Sequence, residues 1–185
     1  MKYLLLIAAL FVAQAQASAT AALKYSCGAS HMRINQNLFG SIELPQDALQ
    51  LRCSYLSDSN VGIRLGLARS TERSNNLFVK GEAYTNKIKS YIHTSIFYKY
   101  EINDRWSVEP FIGYVDYDTE WTVNGELPHW STDSDSDITK GLLINYKYSD
   151  SWRMFFGYSD LYEKHKKDYG RETTRSYEFG LAFSF

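Results

Sequence analysis

Beyond its first seventeen residues the sequence contains no uninterrupted apolar stretch approaching eighteen residues. No later part of it can therefore cross a bilayer as a helix, which takes ~20 residues. Neither sign of charge prevails: 20 basic residues stand against 21 acidic ones. That balance leaves no cationic surface of the kind nucleic acid requires. No cofactor motif is present, and none is expected to bind. Cysteine is confined to Cys27 and Cys53, and the Lys24-Tyr25-Ser26 that precedes Cys27 is not the apolar-small-small pattern of a lipoprotein site, so no lipid anchor is expected. Mean hydropathy is low, at −0.37, as in a soluble protein.

The N-terminus reads as an export signal. Lys2 gives a short positive region, Leu4 to Val12 an apolar one, and Ala13-Gln14-Ala15-Gln16-Ala17 places small residues at the −3 and −1 positions of a cleavage site. Cleavage is expected after Ala17, with Ala15 or Ala22 as alternatives. The division is then 1–17 signal peptide and 18–185 a single domain, whose roughly 168 residues suffice for one fold.

Aromatic residues are abundant, at 16% with 15 tyrosines. A soluble core of this size has little use for so many. A membrane barrel does, because Tyr and Trp sit at both bilayer interfaces, and because only every second residue faces lipid the average hydropathy stays low.

The last strand is the clearest element. Tyr177, Phe179, Leu181, Phe183 and Phe185 alternate with Glu178, Gly180, Ala182 and Ser184, the period-2 signature of a half-buried strand. The same alternation runs through Leu49-Leu51-Cys53-Tyr55, Val61-Ile63-Leu65-Leu67, Ile92 to Tyr100, Trp106 to Tyr114, Leu142 to Tyr148 and Trp152 to Tyr158. Asn, Asp and Ser clusters at 57–60, 102–105 and 149–151 supply turn chemistry between the runs. Eight strands are predicted, near 22–33, 47–56, 61–70, 88–101, 106–120, 138–148, 152–163 and 172–185. Four longer polar connections are expected near 34–46, 71–87, 121–137 and 164–171. Tight turns on one side, long loops on the other and an even strand number match an all-β, eight-stranded antiparallel up-and-down transmembrane β-barrel. Both termini then lie with the tight turns, which are flanked by an aromatic girdle of Tyr55, Tyr100, Trp106, Tyr148 and Trp152. A soluble barrel with apolar residues inside is the competitor, and alternation alone does not distinguish the two.

Eight strands leave an interior that side chains can fill. The inward set includes Arg52, Arg64, Lys99, Glu109, Lys147, Arg153 and Glu178, with Lys24 and Glu101 nearer the ends. Opposite charges there are expected to pair and close the lumen. Cys27 and Cys53 fall near one another on the first hairpin: their numbers sum to 80, as do those of the strand ends 33 and 47. In an oxidising compartment they can bond; two lipid-facing thiols, out of register by two, are the alternative. No catalytic or metal residue is assigned. His93 and Ser95 share a strand face, as in the His-x-Ser pair of barrel-type lipid A deacylases, but without that family's surrounding residues or a partner carboxylate. Asp133, Asp135 and Asp137 could offer oxygens to a divalent cation, yet no turn glycine or distal glutamate accompanies them. Lys164, Lys166, Lys167 and Arg171, with His165, form a basic cluster suited to lipopolysaccharide phosphates.

Glu178-x-Gly180-x-x-Phe183-x-Phe185 resembles the C-terminal β-signal of bacterial outer-membrane proteins, which the barrel-assembly machinery reads. With the signal peptide and the eight-strand plan, the whole mature chain resembles small outer-membrane barrels of the opacity-protein-like and OmpA/OmpX type. The resemblance implies outer-membrane residence in a Gram-negative cell, contact with outer-membrane lipids and lipopolysaccharide, and a monomer without nucleic-acid partners. It implies membership rather than a ligand, since function sits in the loops; the expectation is a non-enzymatic barrel presenting four surface loops for adhesion, envelope integrity or interaction with host or lipopolysaccharide. A lipid A-modifying enzyme and a narrow channel or transporter are the alternatives.

Overall fold

The computed structural model of the protein describes residues 24–38, 42–71, 77–79, 81–128, 132–166 and 170–185. Ten strand segments follow in order: β1 (Tyr25–Leu38), β2 (Ile42–Leu56), β3 (Val61–Ser70), β4 (Leu77–Val79), β5 (Glu82–Tyr98), β6 (Tyr100–Glu101), β7 (Trp106–Val123), β8 (Thr132–Lys147), β9 (Trp152–Lys166) and β10 (Gly170–Ser184). β6 continues β5 past Lys99 in the same register against β7, and β4 is a short flap on β5. The remaining eight form one antiparallel sheet that closes on itself, β1 pairing with both β2 and β10 and β5 with β7. Closure leaves no edge strand, the condition for a sheet to lie in lipid, where unpaired backbone groups go unsatisfied.

The tight turns form where Asn and Ser side chains substitute for ladder partners. Asn103 accepts the backbone N–H groups of Arg105 and Trp106, and Ser149 Oγ accepts that of Trp152. Asn60 takes a positive φ of 62°, which asparagine tolerates better than most residues. At the same end the termini meet: Tyr25 N donates to Phe185 O at 3.2 Å and Phe185 N to Tyr25 O at 2.9 Å.

Strands run further than the alternation predicts. Much of 34–46 and 164–171, and parts of 71–87 and 121–137, are strand rather than loop. Beyond the membrane the outer face meets water and much of the buried inner face is polar, with Gln46, Asn86, Thr119 and Thr122 on it, so the ladder continues without an apolar-polar alternation. The predicted first strand 22–33 runs on to Leu38 for the same reason, while 22 and 23 lie outside the described residues. The ladder is interrupted between Ile88 and Ser90 and between Thr174 and Arg175. At the first of these the Ile88 N–H donates instead to Gln46 Oε1 at 2.8 Å and Ser70 Oγ at 3.1 Å.

The interior is layered. Toward the tight turns Phe97, Phe111, Leu143, Phe155 and Ala182 cluster; toward the long hairpins Met32, Ile34, Ala48, Ala68, Ile88, Tyr91, Val115, Tyr117 and Leu161 do. Three inward phenylalanines each stand directly opposite a glycine of the next strand: Phe97 and Gly62, Phe111 and Gly141, Phe155 and Gly180. A Cβ on any of these glycines would run into the facing ring. The missing side chain is what lets a ring lie flat against the wall, and the ring in turn covers the bare backbone.

Candidate functional site

Two surfaces could carry function, the outer wall and the lumen, and their polarity is opposite to that of a soluble barrel. Leu51 (66% exposed), Ile63 (54%), Ile96 (58%) and Ile112 (59%) point outward, while Arg52, Arg64, Glu109, Gln46 and Gln50 are buried inside. A wall of exposed aliphatic residues around a charged interior has no rationale in water, and is what lipid demands. Trp106 to Tyr114 is nine residues of β7, within the ~9–11 that a tilted transmembrane strand needs. The family model for the outer membrane protein beta-barrel domain matches residues 3–185. The chain belongs to that family.

Solved barrels of the same plan agree. Ail, the attachment invasion locus protein of Yersinia pestis, superposes with a TM-score of 0.62 at 12% identity, over 89% of this chain and 100% of Ail. Neisserial surface protein A superposes at 0.57 with 13% identity, over 87% and 97%. The N-terminal β-barrel domain of Pseudomonas aeruginosa OprF gives 0.54 with 10% identity, over 85% and 97%. At such identities the likeness is one of fold. No curated protein sequence matches the chain. Family and fold together make this an outer-membrane protein of Gram-negative type.

The outer wall carries the girdle residues at the tight-turn end. Tyr100, Trp106, Tyr148 and Trp152 are exposed and Tyr55 is half-buried. Tyr55 packs on Tyr25 with centroids 5.0 Å apart, Trp106 on Tyr146 at 4.9 Å and Trp152 on Phe183 at 5.2 Å. The other rim holds a second belt that the sequence reading missed: Tyr114, Tyr158 and Tyr177, with Tyr158 and Tyr177 in contact at 5.3 Å. Its signal was available, since each tyrosine is the last aromatic of its outward row before Asp116, Asp160 and Arg175. Cys27 and Cys53 face each other across β1 and β2 and are joined by a disulfide, Cα–Cα 4.1 Å, on the lipid-facing side.

In the β-signal motif, Phe183 lies on the outer wall and Phe185 stacks on Tyr25, centroids 6.2 Å apart. Gly180 sits under the Phe155 ring, and Glu178 turns inward. Its carboxylate accepts from Arg52 Nη1 at 3.1 Å and Ser30 Oγ at 3.3 Å. Arg52 lies over the Phe155 ring, 3.2 Å from the centroid. Arg64 bonds Glu109 and lies 4.4 Å from the Phe97 ring centroid. Arg153 bonds Ser26 and stands 3.6 Å from the other Glu109 oxygen. The remaining sequence-assigned lumen charges sit at the mouth. Lys99 pairs with Glu101 at 2.7 Å, and Lys147 with Asp150 at 2.8 Å. The Lys147 ammonium holds the Asp150 carboxyl, in the turn, below the usual carboxylate range. Lys24 pairs with Asp58 at 2.8 Å, which raises its own affinity for a proton.

His93 and Ser95 lie inside the barrel, both 5% exposed. The His93 ring packs on Phe111 with centroids 5.5 Å apart, and neither His93 Nε2 nor Ser95 Oγ has a hydrogen-bond partner in the protein. The aspartates at 133–137 belong to β8 rather than to a loop. Among the described residues no three metal-ligating side chains converge. Lys164 and Lys166 lie on β9 and Arg171 on β10, not in a connecting loop, with side chains outside the described part; Lys167 and the signal segment 1–17 lie outside the described residues.

Proposed function

We propose that the protein is a non-enzymatic surface barrel with a closed lumen, which presents its hairpins outside the cell for adhesion, envelope integrity or contact with host or lipopolysaccharide. The observation that carries this reading is the ionic layer of Arg52–Glu178 and Arg64–Glu109, capped by the Phe155 and Phe97 rings. Paired charges and rings packed across an eight-stranded interior favour a barrier over a path. The hairpins support the outward role. β7 runs nine residues past Tyr114, roughly 30 Å of further strand, which lifts polar residues beyond the lipid. Function grafted on such loops is the usual division of labour in a rigid scaffold.

The non-enzymatic reading draws on His93 and Ser95 standing in the lumen rather than at a rim, with no carboxylate bonded to either. Lys164, Lys166, Lys167 and Arg171 are assigned as the lipopolysaccharide contact. Ail, whose crystal structure holds the heparin analogue sucrose octasulfate, is a barrel of this fold on which a polyanion does bind. Export with cleavage after Ala17, assembly through the Glu178 to Phe185 motif by the barrel-assembly machinery, and a monomeric state complete the reading.

Planar-bilayer recording on purified protein tests it. No sustained ionic conductance is expected; stable open-channel currents would replace it with the channel reading. Lipid A mass spectra from cells with and without the protein should coincide. A shift by one acyl chain would make the protein an enzyme.

A further inference from the structure

Below the ionic layer the lumen opens into a cavity of about 540 Å³ lined by turn residues and the lower barrel wall, within the size range of small-ligand pockets, about 300–1,000 Å³. We propose that this vestibule, facing the periplasm, binds a small organic anion that carries a hydrogen-bond donor beside its carboxylate, held by the Asn145 amide and the Arg153 guanidinium.

Two independent observations lead there. The first is polar groups left over. Asn145 is 3% exposed and lines the cavity, yet neither its Oδ1 nor its Nδ2 has a hydrogen-bond partner in the protein. Arg153, on the same wall, has its Nε unpartnered. Buried side-chain amides are almost always satisfied, because an unmet buried donor or acceptor is costly. The second is charge. The cluster above the cavity holds three guanidinium groups, Arg52, Arg64 and Arg153, against two carboxylates, Glu109 and Glu178. The surplus positive charge falls on Arg153, the one guanidinium of the three that is part-exposed to the cavity.

A carboxylate answers both. Its oxygens would accept from Asn145 Nδ2 and Arg153 Nε and offset the surplus charge, while a hydroxyl on the next carbon would donate to Asn145 Oδ1. A halide meets the charge but not the acceptor. The layer of Phe97, Phe155, Arg52 and Arg64 above makes the vestibule a dead end, so it serves to bind and not to conduct.

The experiment is a glycolate titration of the full mature chain, folded in micelles, with acetate and chloride as controls at constant ionic strength. Nitrogen-correlated NMR follows the Asn145 side-chain amide and Arg153 Nε–H, and folding is verified by gel mobility. Glycolate should shift both signals saturably in the millimolar range or below, and acetate should bind several-fold more weakly. Asn145→Asp, which sets a negative charge on the floor, should weaken glycolate at least tenfold. Wild-type shift mapping stands even if that variant misfolds. Shifts that follow chloride, equal affinity for acetate and glycolate, or saturation that leaves the Asn145 amide unmoved would overturn the proposal. A conducting lumen would sink the closed-lumen reading and the dead end with it, whereas a silent lumen with no glycolate shift at Asn145 would sink this proposal alone.

Discussion

Glu178 stands in two contexts at once, in the C-terminal motif and in the lumen, where it answers Arg52 from 126 residues away in the chain. Removing one partner of a buried pair leaves the other uncompensated, at about 3–5 kcal/mol. Glu178→Ala should therefore lower the unfolding free energy by that order in urea titrations of the refolded barrel. Arg52→Met with Glu178→Met should recover most of it, because similar-volume apolar replacements of a buried pair are often neutral. Alternation alone turned Arg52, Arg64, Glu109 and Glu178 inward, because parity along a strand is a local property. Which arginine meets which glutamate was not legible, since it depends on the stagger of strands distant in sequence. Asn145 escaped notice for a different reason. An asparagine in a strand carries no pattern until its neighbours are known to leave it unmet.

At the scale of the strand and hairpin, glycine positions are decided by the ring opposite. Gly180→Val should force Phe155 off the wall and away from Arg52, costing at least the 1–3 kcal/mol typical of overpacking. The check is the fraction folded at a fixed urea concentration. The first hairpin is held twice, by its ladder and by Cys27–Cys53. A cross-link closing 26 residues constrains the unfolded chain by about 3.5 kcal/mol. Cys27→Ser with Cys53→Ser should shift the urea midpoint accordingly, and alkylation of unreduced protein followed by mass spectrometry should find no modified cysteine. The three tight turns were readable because Asn, Asp and Ser act through bonds to their own backbone. The interruptions at Ile88/Ser90 and Thr174/Arg175 were not, because one extra residue in a strand looks like any other until its partner is seen. The far ends of the hairpins were read as loops because the alternation that marks a strand is imposed by lipid, and stops where lipid stops.

For the whole molecule, the two aromatic belts predict how it sits. Trp106 and Trp152 belong to the belt at the tight-turn end, so brominated lipids should quench their fluorescence most when the bromine lies near the headgroups. The measurement uses Trp121→Phe with Trp130→Phe to isolate the two. Quenching that peaks at the bilayer centre would contradict the placement of the wall. Inside and outside were not distinguishable from alternation, which is symmetric. The C-terminal motif and the aromatic girdle beside the tight turns broke the tie, and the buried arginines set against exposed leucines and isoleucines settle it.

The mutual hydrogen bonds of Tyr25 and Phe185 mean that the wall, once closed, has no first or last stave: the seam between β1 and β10 is as fully laddered as any other. A chain ligated through these residues and reopened at another tight turn, such as 149–151, should therefore refold in vitro to the same cylinder. In the cell the rearranged chain, ending on Tyr148, would present a different final strand, with Gly141 in place of Glu178 and Leu143 in place of Gly180. Architecture in this molecule is cyclic; only its manufacture has a direction.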